Sequence, residues 1–193
     1  MKALAVSCLT ALLAGCGYSF GGPAPYIAPT AHTISVPLFK NRTREHGLEV
    51  HVRRALEEEI RRRGALRIVG DDTGDLELSG EIRHFSNRPV ATSGVTDEAV
   101  QYETVIQLSI RLTERASGQR LYENKLFQAA SEYGAVRSVV VNSSPRFQRG
   151  TMNGRDLVNL TNVQLAESRR HASTDDLLDV LAHDIYQQVV EGF

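Results

Sequence analysis

The chain has 193 residues, with 22 Lys and Arg against 23 Asp and Glu, a formal net charge of −1. A 41% hydrophobic and 23% charged composition excludes a disordered or fibrous protein, and one domain is the natural reading at this length. The balanced charge gives no global attraction to nucleic acid. Two cysteines and no tryptophan exclude a disulfide scaffold and leave little for a metal cluster.

Met1 and Lys2 make a short positive start, and positions 3–13 are an apolar run. In a helix that run rises only about 16 Å, too short for a hydrocarbon core of about 30 Å. It reads as the apolar region of a secretory signal over 1–15. Leu13-Ala14-Gly15-Cys16 follows and resembles the bacterial lipobox, in which the cysteine sulfur receives a diacylglyceryl group and the new N-terminus is acylated. Cys16 is therefore the expected lipid attachment residue, with more acyl chains than stable anchoring needs. Gly17 stands where an Asp would, by resemblance, retain the protein at the inner membrane, so export and an outer-membrane address are expected. Residues 16–31, with Gly21-Gly22-Pro23-Ala24-Pro25, read as a non-helical tether. A single domain then covers 32–193.

A first strand is predicted over 33–39, where Ile34, Val36 and Leu38 alternate with Thr33, Ser35 and Pro37, the proline favouring an edge or a strand end. Thr43 is the expected N-cap of a helix running to Arg63. Its stripe is Leu48, Val52, Ala55, Leu56 and Ile60, and Gly64 is its stop. Glu57, Glu58 and Glu59 each precede Arg61, Arg62 and Arg63 by four positions, which reads as a solvated, self-paired face. A short strand over 66–69 and a polar turn over 70–74 come next. Leu76, Leu78, Gly80 and Ile82 then alternate with polar residues as a half-buried strand. Between 101 and 113, Tyr102, Thr104, Ile106, Leu108, Ile110 and Leu112 face one way; Ser117-Gly118 turns the chain into a partner strand over 121–133. These strands form an antiparallel meander with one wet face. A last helix is predicted from Ser173 or Thr174, with the stripe Leu177, Leu178, Leu181, Ile185 and Val189 and a stop at Gly192. Residues 134–172 have no clean periodicity and read as a long basic insertion, with a short helix over 157–166. Six arginines there (Arg137, Arg146, Arg149, Arg155, Arg169 and Arg170) face only Asp156 and Glu167.

No catalytic constellation stands out: there is no nucleophile elbow, phosphate loop, zinc-protease motif or dinucleotide fingerprint, and no cofactor is expected. His46 and His51 are poorly spaced for one metal on a helix. Asp71-Asp72-Thr73-Gly74-Asp75 begins like a calcium loop, but Ile82 occupies the twelfth position where a Glu belongs. His183 and Asp184 read as a surface pair. The basic insertion is different, because guanidiniums without local acids can fork onto phosphates. Arg137, Arg146, Arg149 and Arg155 are the candidate contacts to a phosphorylated envelope lipid such as lipopolysaccharide; a solvated surface insertion is the other reading.

The segment Leu13-Ala-Gly-Cys-Gly-Tyr-Ser-Phe20 is similar to the opening of the lipopolysaccharide-assembly lipoproteins of the LptE family. Ile34-Ser-Val-Pro-Leu-Phe-Lys-Asn-Arg-Thr43 followed by Gly47-Leu48-Glu49 resembles that family's next segment. The later strands and the last helix fall in the family's order, and the long basic stretch at 134–172 departs from it. The resemblance implies an α+β fold, two amphipathic helices packed on one face of a mainly antiparallel sheet of about four strands. It implies a non-enzymatic plug in the LptD β-barrel, aiding barrel assembly and passing lipopolysaccharide to the outer leaflet. A lipoprotein adaptor of the CsgG or LpoB type, serving a secretion channel or a peptidoglycan synthase, shares the strand-Pro-x-Phe-x-Asn opening. A periplasmic hydrolase would need a carboxylate pair or a Ser-His contact in a cleft.

Overall fold

The computed structural model describes residues 24–92, 99–134 and 154–192. In chain order these form β1 (Thr33–Ser35), β2 (Lys40–Asn41), α1 (Leu48–Arg63), β3 (Arg67–Ile68), β4 (Leu76–Thr92), β5 (Ala99–Glu114), β6 (Arg120–Gly134) and α2 (Gly154–Tyr186), which ends in a π-helical turn, Gln187–Glu191. The sheet order is β3-β1-β4-β5-β6, with β2 beside β4. β4, β5 and β6 are the expected antiparallel meander, whereas β1 and β2 join β4 in parallel and β3 joins β1 in parallel. The architecture is therefore the expected two helices on a sheet, but the sheet is mixed and has six strands rather than about four.

Local chemistry explains the differences. Pro37 has no N–H to give a ladder; the strand predicted over 33–39 ends at Ser35, and pairing resumes only beyond it in β2. Between β1 and β2, Phe39 is buried over β4, where a Cβ on Gly80 would fall 2.5 Å from the Phe39 ring. Thr43 does not cap α1: its N–H and hydroxyl both donate to Asn41 Oδ1 (2.9 and 2.8 Å), and its Oγ1 accepts from the Glu45 N–H. The Asn41 amide also donates to the Glu45 carbonyl (2.8 Å) and to Glu49 Oε2 (2.7 Å). The chain thus spends 41–47 on a side-chain-held turn, and the helix starts at Leu48 after Gly47 in the left-handed region (φ 83°). Its other end is as predicted, with Gly64 at φ 71° donating to the Ile60 carbonyl.

The last helix departs most. It begins at Gly154, not at Ser173 or Thr174, and absorbs both the predicted 157–166 helix and the rest of the segment up to 172. Thr174, which looked like a cap, instead turns its hydroxyl onto the Arg170 carbonyl one turn back (2.8 Å), a bond open to any mid-helix threonine. Residues 164–172 carry no buried side chain. A helix that is polar all round leaves no stripe for periodicity to find.

The core lies between the sheet and both helices. Leu76, Leu78, Ile82, Ile106, Leu108, Ile110 and Leu112 meet Val52, Leu56 and Ile60 of α1 and Leu177, Leu181, Ile185 and Val189 of α2, all at most 2% exposed. At Arg83 β4 carries a bulge: Ile82 pairs with Leu108, and His84 with Gln107. One extra residue reverses the alternation, so beyond it Phe85 and Asn87, paired with Ile106 and Thr104, share the helix side.

Candidate functional site

The residues singled out from the sequence fall in different places. Cys16, Arg137, Arg146 and Arg149 lie outside the described residues, and Arg155 falls in the first turn of α2. Arg169 and Arg170 are described. Arg169 Nη1 donates to the Gly134 carbonyl at the end of β6 (3.3 Å). Arg170 Nη2 binds Glu167 (3.0 Å) and, from outside the segment, Glu45 (3.4 Å). The hydrogen bond from Arg170 holds the Glu167 carboxyl below its ordinary range. The basic excess near Arg170 is thus smaller than the segment count suggests. Between β6 and α2 lies an open cleft of about 210 Å³ lined by Ser131, Tyr133, Arg169, Ser173 and Asp176, among others.

The helix-free face of the meander carries cross-strand polar pairs on either side of Val105, which is 7% exposed and lies opposite Ala130. Arg88 bonds Glu103 through Nε and Nη2 (2.9 and 2.8 Å), Gln101 meets Glu132, Gln107 bonds Gln128 (2.9 Å), and Arg111 and Arg120 converge on Glu123 (3.0 and 2.6 Å). Across the ladder these residues sit opposite or diagonal, where side chains on one face meet, and Arg120 reaches Glu123 along its own strand. Arg42 adds Glu81 at 3.5 Å. Around Val105 the face presents hydrogen-bonding groups and paired charge.

The helix face read as solvated is more than that. Arg61 does pair outward with Glu57 (2.8 Å). Glu59, however, is only 4% exposed at its side chain and gathers Arg62, Arg63 (2.9 Å) and His183 Nδ1 (3.1 Å). Burial pushes its carboxyl up, but hydrogen bonds from Arg63, Arg62 and His183 outweigh that and hold it below the ordinary range. Arg63 also lies 3.5 Å from Glu191 and 5.5 Å above the Tyr186 ring. His183 is therefore not a surface partner of Asp184 but part of a joint between α1, α2 and the terminal turn. Its Nδ1 lies 2.9 Å from Arg63 Nη2 as well, so that nitrogen serves one neighbour at a time. The signal for Glu59 was present: it lies three beyond Leu56 and seven beyond Val52, on the buried stripe.

The turn acids hold the fold together. Asp75 Oδ2 accepts from the N–H groups of His32 and Thr33 and from the Thr33 hydroxyl (3.0, 3.0 and 2.7 Å), fixing β1 to the start of β4. The Thr33 hydroxyl is the main reason its carboxyl stays below the ordinary range, with both N–H groups adding to it. Asp71 faces Arg53, and Asp72, at φ 70°, faces Arg115. His46 precedes α1 and His51 lies in its first turn.

The sequence profile of the LptE family, described as lipopolysaccharide-assembly, matches residues 31–189. The chain belongs to this LptE family. The match bears out the resemblance carried by Ile34 to Glu49. Among solved structures the fold is similar to protein XCC0632 of Xanthomonas campestris, at 12% identity and TM-score 0.50, over 89% of this chain and 91% of that one. Lipoprotein B of Nitrosomonas europaea (12% identity, TM-score 0.45, 82% of each chain) and the rare lipoprotein B of Shewanella oneidensis (12%, TM-score 0.34, 78% of this chain and 95% of that one) are also similar. At these identities the likeness is one of fold. No curated protein matches the sequence.

Proposed function

We propose that this LptE-family chain is a non-enzymatic lipoprotein of the outer membrane, anchored through Cys16, that occupies the lumen of an LptD-like β-barrel, aids its assembly and helps deliver lipopolysaccharide to the outer leaflet. One observation carries the reading beyond the family: the meander is closed by helices on one side and by self-paired polar groups on the other. The interior of a large outer-membrane barrel is polar and hydrated. A plug for it must present hydrogen-bonding surface that stays compatible with water, which the Arg88–Glu103 to Arg111–Glu123 face does. Among the described residues no helix is long and apolar enough to cross a membrane, so the attachment we assign to Cys16 supplies the membrane hold.

The guanidiniums of Arg137, Arg146, Arg149 and Arg155 are the proposed contacts to lipopolysaccharide phosphates. In sequence they lie between the end of β6 at Gly134 and the first turn of α2. Capture of the full-length, lipidated protein from solubilised envelopes of the native host tests the main claim. An LptD-like barrel is expected in the eluate; a secretion pore or a peptidoglycan synthase in its place overturns it. Replacing the four arginines by glutamate is expected to weaken lipopolysaccharide binding about tenfold or more while the barrel is still captured. Unchanged lipopolysaccharide affinity in that folded variant removes these residues from the proposal.

A further inference from the structure

The last four carbonyls of a helix have no partner within it, and the way α2 solves this is unusual. Gly192, at φ 75°, donates its N–H to the Gln187 carbonyl. Three of the remaining carbonyls are met by residues 24–26, two of them sharing the single proton of one tyrosine hydroxyl. The Tyr26 hydroxyl lies 2.9 Å from the Gln188 carbonyl and 2.8 Å from that of Val189, and the Ala24 N–H donates to the Val190 carbonyl (2.6 Å). Tyr26 stacks on Tyr122 of β6 with ring centroids 6.3 Å apart, and the Tyr122 hydroxyl donates to Gln188 Oε1 (3.0 Å). Ala24 and Ile27 are buried in the core. A Cβ on Gly192 would fall 2.9 Å from the Ala24 Cβ, so the contact is close. Burial, with Tyr122 beside it, pushes the Tyr26 hydroxyl up to about 12, which keeps it a donor at every physiological pH. The π-helical turn widens the backbone at the point where Tyr26 takes two successive carbonyls, and such turns concentrate where a helix is put to a use.

We infer that residues 24–27 are a clasp that caps the C-terminal helix and sets the length of the membrane leash. The leash rests on the proposed anchor at Cys16; the clasp does not. With the clasp closed, the span from position 16 to position 24 reaches at most about 29 Å. With it open, the chain is free from 16 to the start of β1 at Thr33, and the reach roughly doubles to about 60 Å. The α2 helix is about 50 Å long, so the difference compares with the length of the domain. A closed clasp therefore keeps the end of the domain that carries Gly192 close to the lipid surface.

The test uses the full-length lipidated protein in vesicles of phosphatidylethanolamine and phosphatidylglycerol. Hydrogen exchange is read over 24–31 and 187–192, and energy transfer is read between a membrane dye and a label at Gln119→Cys in the β5–β6 turn. Tyr26→Phe removes the donor and keeps the ring; Gly192→Ala crowds Ala24 and leaves Tyr26 intact. Both are expected to raise exchange in the two segments about tenfold and to lower the energy transfer, with the rest of the domain unchanged. Unaltered exchange in both variants overturns the clasp. Faster exchange with unaltered transfer overturns its control of the leash. A wild-type protein that ignores the vesicles, yet still shows the exchange contrast in solution, refutes the anchor at Cys16 and upholds the clasp.

Discussion

Between Leu76 and Ile82, β4 has strands on both sides and helices beneath it; between His84 and Thr92 it has β5 alone. The bulge at Arg83 shifts the alternation by one residue between the halves, and the residues facing the helices differ. In the first half they are Leu76, Leu78, Ile82, Ile110 and Leu112. In the second, Asn87 donates to the Tyr133 hydroxyl (2.6 Å) and to Thr104 Oγ1 (3.2 Å), and Tyr102 stacks on Tyr133 at 5.5 Å. One half is closed by apolar burial; the other continues it only through Phe85 and Ile106 and is then closed by hydrogen bonds and stacked rings. Burial is worth roughly 25 cal/mol per Å², and a hydrogen bond formed in exchange for water about 1 kcal/mol net. Stability should therefore sit in the half that holds the clasp and the α1–α2 joint. The far half, which leads into the arginine-bearing segment, is the part that can vary.

The sharpest way to break this comparison is to truncate matched positions. Leu108 is fully buried in the first half, whereas Val90 is 43% exposed near the far tip. Leu108→Ala is expected to cost about 2–5 kcal/mol in urea unfolding, and Val90→Ala within about 0.5 kcal/mol. Comparable losses at the two sites would mean that the halves share one core.

The joint at Glu59 comes next in size. Its folded carboxyl is held below its ordinary range, so the stabilisation is complete above the usual glutamate pKa of about 4.3 and fades as the pH falls through and below it. Glu59→Gln leaves Arg63 and His183 facing an amide and is expected to cost about 1–3 kcal/mol at neutral pH. Its stability should also fall less steeply on acidification than that of the wild type. Parallel acid limbs in the two proteins would show that the pair contributes no titrating stability.

The sequence makes the well-buried half legible and the rest much less so. The stripes of α1 and of 177–189, the stop at Gly64 and the alternation of 102–112 all come from apolar residues meeting one core, and periodicity reads that directly. The polar stretch of α2 over 164–172 has no such stripe, although Glu167 paired with Arg170 and His171 supports it in helix. The bulge at Arg83 ends a strand as far as alternation can tell, and β4 runs nine residues past it. The Tyr26 clasp joins positions 162 and 163 apart, and Arg170 meets Glu45 at a separation of 125. Local pattern carries no trace of either. Of the proposed site, the charges and the anchor motif could be read; which arginines are already neutralised depends on the tertiary fold.

The smallest expected effect sharpens the comparison from the other side. Arg88 and Glu103 are paired across the outer face of the far half, with the arginine side chain 66% exposed. Exposed pairs contribute about 0–1 kcal/mol, because water already solvates both ions and ordering the side chains costs entropy. Arg88→Glu places two carboxylates opposite each other at this register, yet thermal unfolding should move by only a few degrees for a domain of this size. If the face lies against a hydrated barrel wall, the same change should reduce capture of the barrel far more than it reduces stability, since a like-charge contact at an interface is resisted from both sides. A variant that unfolds early would instead assign the pair to the scaffold. A variant that keeps both its stability and its barrel would move the docking surface off this end of the sheet.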